Sequence, residues 1–197
     1  MKTINKKVSI LFVVVAFTVL LCSCNIMGPP LPEKWGAEYL KSTGVQDETI
    51  DKITKSKTLS REEFEKYSRS DDVNVRHLIA RNPHIPNDLL SELVKDKNFF
   101  VREGVALNTS ISREMVDALK KDHLCVVSAL VSNPSVPEDV ILEIYKSRKM
   151  HLSCYARNPK CPEIIRDDIL KSRDADAMDW LSITKERELK ADSNSKH

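Results

Sequence analysis

Arg81–Pro86 reads RNPHIP, and the chain writes this phrase again. SNPSVP stands at Ser132–Pro137 and RNPKCP at Arg157–Pro162, with LNTSIS at Leu107–Ser112 as a worn copy. Aligned on Asn82, Asn108, Asn133 and Asn158, the copies are 26, 25 and 25 residues apart. A fixed period of that length is the mark of a repeat architecture.

The alignment sorts the apolar residues into columns. Ile79, Val105, Leu130 and Tyr155 stand three residues before each Asn, and Ala80, Ala106, Val131 and Ala156 two before. Leu89, Met115, Val140 and Ile165 stand seven after, and Leu93, Leu119, Ile144 and Ile169 eleven after. Columns four residues apart share one face of a helix, so the second segment of each unit carries a buried stripe. Each unit is a short helix, a turn and a longer helix.

The repeated phrase is the turn. Asn tolerates left-handed backbone and satisfies nearby main-chain groups, which suits the end of a helix. Pro83, Pro134 and Pro159 cannot continue that helix. Pro86, Pro137 and Pro162 open the next one, where a missing N–H costs nothing, and Ser112 is the N-cap of the worn copy. ITKSKTLS at Ile53–Ser60 aligns upstream, with Ser60 and Glu63 spaced as a capping box, and Trp180 continues the Ile79 column downstream. These read as degenerate end repeats that seal a solenoid.

Composition agrees. The 197 residues include only 4 Gly and 6% aromatics, little material for phosphate loops. The 31 basic and 29 acidic residues give a formal charge of +2, so no basic excess points to nucleic acid.

The N-terminus has its own logic. Lys2, Lys6 and Lys7 precede a 15-residue apolar run, Val8–Cys22, short for a membrane span but suited to a signal peptide. Leu21-Cys22-Ser23-Cys24 resembles a bacterial lipobox. The resemblance implies cleavage after residue 23, a diacylglycerol thioether on Cys24 and acylation of its amine, palmitate being a typical chain. More than one acyl chain is what stable anchoring requires. Residues 1–23 are then the signal peptide, 24–35 the lipidated cysteine and tether, 36–184 the repeat domain and 185–197 a polar tail. The expected location is the bacterial cell membrane, and the periplasmic face of the outer membrane in a Gram-negative source.

Val75-Arg76 before IARNPHIPNDLL, and Val101-Arg102 before the next unit, resemble the leucine-rich repeat variant (LRV) family. The resemblance covers about Leu59–Ser172. It implies an all-α solenoid in which α-helices alternate with 3₁₀ helices, here about four to five helix-turn-helix repeats with some first helices 3₁₀. HEAT-like pairs of α-helices are the nearest alternative. The V-R pair gives way to Val126-Val127 and His151-Leu152 in later units, and no cysteine-rich iron–sulphur segment is present to carry over.

Candidate chemistry is sparse. Cys125, Cys154 and Cys161 fall mostly in core columns, where free cysteine acts as a small hydrophobe, so no metal site is assigned. A Cys154–Cys161 disulfide stays open. G-x-S-x-G, H-E-x-x-H and glycine-rich phosphate loops are absent, so the expected class is not an enzyme and needs no cofactor. Arg76, Arg81, Arg102 and Arg157 are the candidate partner-binding residues, a basic row set against the reading of a solvated helix face. The expected role is a membrane-anchored lipoprotein whose repeats form a protein-binding scaffold or assembly module at the cell envelope. Its partners are the membrane, through the acyl groups on Cys24, and an envelope protein or peptide, with no nucleic acid. An immunity-type inhibitor of a periplasmic toxin is the alternative, with a metal-binding or hydrolytic envelope lipoprotein behind it.

Overall fold

The computed structural model describes residues 47–55, 59–147 and 150–194. The signal segment, Cys24 and the tether lie outside the described residues. Eleven helices, all α, follow in order among those residues: α1 (Asp47–Lys55), α2 (Arg61–Ser68), α3 (Val73–Arg81), α4 (Asn87–Leu93), α5 (Phe99–Ala106), α6 (Arg113–Leu119), α7 (Leu124–Ser132), α8 (Glu138–Ser147), α9 (Leu152–Ala156), α10 (Glu163–Ser172) and α11 (Ala175–Asn194). The fold is an all-helical repeat. Its first helices α3, α5, α7 and α9 are α-helical rather than 3₁₀. Even the five-residue α9 is closed by an ordinary α-helical cap residue.

Two layers result. The first helices pack directly on one another, α3 on α5, α5 on α7, α7 on α9 and α9 on α11. Close approach needs small residues at the contact. Ala80, Ala106 and Ala156 are fully buried there, and Gly104 lies so near α3 that a Cβ would sit 2.7 Å from the His77 carbonyl oxygen. The second helices turn Leu89, Leu93, Leu119, Val140, Ile144, Ile165 and Ile169 into one core with Ile79, Val105, Leu130 and Tyr155. Each fully buried side chain of this kind contributes about 1.5–3 kcal/mol. Long side chains join successive second helices: Arg113 to Asp139 (2.8 Å), Lys120 to Glu143 (2.8 Å) and the Tyr145 hydroxyl to Asp168 (2.7 Å).

The asparagines do more than end helices. Asn82, Asn108, Asn133 and Asn158 are buried, and each Nδ2 donates to main-chain carbonyls of the preceding repeat. Asn82 reaches Ile53 (2.8 Å), and Asn108 reaches Ala80 (2.7 Å) and Asn82 (2.9 Å). Asn133 reaches Ala106 and Asn108 (2.8 Å each), and Asn158 reaches Val131 (3.0 Å) and Asn133 (3.2 Å). The Oδ1 atoms accept from the N–H two residues on, at His84, Ser110, Ser135 and Lys160. A left-handed backbone is not involved: Asn82 and Asn133 are extended (φ −68° and −86°). Thr184 closes the series, its Oγ1 3.3 Å from the Ala156 carbonyl.

Two end features differ from expectation. Pro86 and Pro162 stand at the N-cap, one place outside the helix. α11 runs to Asn194 instead of giving way to a tail at residue 185, because KERELKAD holds strong helix formers and no breaker. Upstream, Ser60 and Glu63 form the reciprocal capping box.

Candidate functional site

A first helix points its core residues, three and seven before the Asn, toward the second helices. At about 100° per residue, the positions five and one before the Asn lie on the opposite, free face. Five before stand His77, Glu103, Ser128 and Ser153, all polar and all buried. One before stand Arg81, which is exposed, and Leu107, Ser132 and Arg157, which are half-buried. Four successive repeats therefore present one stripe of polar groups recessed between their neighbours.

The stripe begins with an aromatic stack. His77 lies on Phe100 with ring centroids 3.8 Å apart and 4° between planes, and its Nδ1 is 2.7 Å from the Phe100 carbonyl oxygen. Burial pushes the imidazole down to about 3, so the ring is neutral and Nδ1–H is the donor. Phe99 stacks on His123 at 4.4 Å beside it. Burial raises the Glu103 carboxyl to about 7, opposed by the charge of Arg81 on the neighbouring helix. At the far end, Arg157 lies over the Trp180 ring at 4.9 Å, a cation–π contact.

The four candidate arginines part ways here. Arg76, 8% exposed, grips Asp96 through Nε (2.7 Å) and a terminal nitrogen (3.2 Å), with its other nitrogen on the Ser70 carbonyl (2.7 Å). Arg102 grips Asp122 at 2.7 Å twice and the Asp96 carbonyl at 2.7 Å. Both are structural clamps between the start and the end of one repeat, with their charge neutralised, so they do not join a basic row. Arg81 and Arg157 remain on the free face. The sequence holds the signal for the clamps. Asp follows Arg by 20 residues in both units, and where the arginine is Val127 or Leu152 the partner position is Ser147 or Ser172.

Cys125, Cys154 and Cys161 are buried thiols, with no disulfide between Cys154 and Cys161. Burial raises the Cys161 thiol to about 11. Among the described residues, no three His, Cys, Asp or Glu side chains converge as a metal group, and no helix is long and apolar enough to cross a membrane.

Comparison with known families, curated proteins and solved structures finds no match to this chain. Of the four arginines singled out in the sequence, Arg81 and Arg157 lie beside this stripe, whereas Glu103 and Ser128 were not singled out. The signal was present, since the column five before the Asn is polar in all four repeats while the column four before it holds Leu78, Gly104, Ala129 and Cys154.

Proposed function

We propose that this chain is a lipid-anchored, non-catalytic helical-repeat module that binds a partner protein at the bacterial cell envelope. One observation carries the binding reading: the free face repeats a polar, recessed position across four stacked units, flanked by the exposed Phe99. Ladders of equivalent positions suit an extended protein ligand. The lipobox-like Leu21-Cys22-Ser23-Cys24 and the LRV-like Val-Arg and Asn-Pro pattern support the anchor and the repeat class.

The two halves are tested separately. Cys24→Ala is expected to leave the precursor unprocessed and to remove mature protein from detergent-extracted membranes; normal processing would overturn the anchor. For the partner, a photo-crosslinking residue at Leu107 on the free face is compared with one at Asp117 on the second-helix layer, in cells. Adducts from position 107 alone are expected. Adducts from position 117 alone would move the binding surface to the other layer.

A further inference from the structure

We propose that Arg81, Glu103 and Ser128 form a receptor for the main-chain amides of an extended polypeptide segment. The proposal rests on the protein-binding reading above and names what the free face recognises.

Glu103 is 9% exposed, and among the described residues its carboxylate has neither a hydrogen bond nor a closed ion pair. Burial without a partner is costly for such a group, so its retention needs a reason. Arg81 acts on Glu103 electrostatically from the adjacent helix, yet the two do not close on each other. Ser128, also buried, occupies the same position in the next repeat, and its hydroxyl makes no bond within the described chain. The face thus offers a fork of N–H donors, a carboxylate acceptor and a hydroxyl in a row, all unfilled.

The chemistry of that row selects its ligand. Above pH 7, where Glu103 is ionised, a phosphate drawn to Arg81 meets the carboxylate's negative charge, and a cation drawn to Glu103 meets Arg81. An amide is neutral and carries both functions: its carbonyl accepts from Arg81 or Ser128, and its N–H donates to Glu103. Phe99 and the Phe100–His77 stack supply flat apolar walls for the alternating side chains.

The test uses the full chain in detergent and a fluorescently labelled, acetylated hexapeptide amide of alternating Ser and Val, with its backbone N-methylated analogue as control. The expected result is binding of the hexapeptide that falls at least tenfold on N-methylation and in Arg81→Met and Glu103→Leu. Inorganic phosphate and acetyl-lysine amide should not compete. Helical melting is recorded for each variant, and Glu103→Ala replaces Glu103→Leu if the latter does not fold. Equal binding by the N-methylated analogue or by the folded variants overturns the receptor, as does displacement by phosphate or the lysine amide. No binding by the unmodified chain also overturns it. Crosslinked partner at position 107 without hexapeptide binding would sink the amide receptor alone and leave the protein-binding reading standing.

Discussion

Asn133 donates from one nitrogen to the carbonyls of Ala106 and Asn108, 2.8 Å each, while Asn158 in turn donates to the carbonyl of Asn133 at 3.2 Å. The side chain of one repeat is thereby clasped to the main chain of the one before. Asn133→Ala removes both donors and leaves the Ala106 carbonyl without its side-chain donor and the Ser135 N–H without its acceptor, an expected loss of about 2–5 kcal/mol. Asn133→Asp should cost more, since it places a carboxylate against two carbonyls. Urea unfolding followed by circular dichroism gives the comparison; an Ala variant as stable as the parent would remove the clasp from the stability of the fold.

Arg102→Ala should destabilise by about 2 kcal/mol, because it removes two charge-assisted bonds to Asp122 and one bond to the Asp96 carbonyl in a half-buried site. The Arg102 hydrogen bonds hold the Asp122 carboxyl below its ordinary value. That contribution is present above the unfolded carboxylate range and is lost as pH falls through the lower, folded value. A double-mutant cycle with Asp122→Asn should return a coupling energy, and zero coupling would contradict the clamp.

Glu103 acts in the opposite sense. Its folded value near 7 exceeds the ordinary 4.5, so the native state holds a proton that the unfolded chain has released. The associated stability is complete below pH 4.5 and is lost as pH rises through 7, a change of roughly 3 kcal/mol. His77, held near 3, offsets this on the acid side: its contribution is complete above pH 6.5 and is lost as pH falls toward 3. Glu103→Gln should therefore raise Tm relative to the parent more at pH 8 than at pH 5. Parallel Tm curves for parent and variant would show that Glu103 does not titrate in this window.

Gly104→Ala should cost about 1–3 kcal/mol, because the new methyl meets the His77 carbonyl at 2.7 Å and Ala80 Cβ at 3.1 Å. α3 and α5 must move apart to admit it. Thermal melting of the variant checks the contact, and an unchanged Tm would mean that this helix pair has slack.

The core columns were legible because burial leaves its mark on residue type: Ile79, Val105, Leu130 and Tyr155 are all fully buried. The turn could be placed but not explained. Its acceptors are the carbonyls of Ile53, Ala80, Ala106 and Val131, and a main-chain carbonyl has no residue identity to read. Arg76 and Arg102 looked like surface charges because each partner aspartate lies at the far end of the repeat, past a helix and two turns. Glu103 was overlooked for a related reason. A single acid in a helix is usually solvated, and the packing of α5 between α3 and α7 buries this one.

Every asparagine clasp reaches backward along the chain, from Asn158 to Val131, from Asn133 to Ala106, from Asn108 to Ala80 and from Asn82 to Ile53. Each unit thus finds its acceptors in the unit before it. The clasp network therefore has a polarity along the chain: each unit's clasp is complete without the unit that follows it.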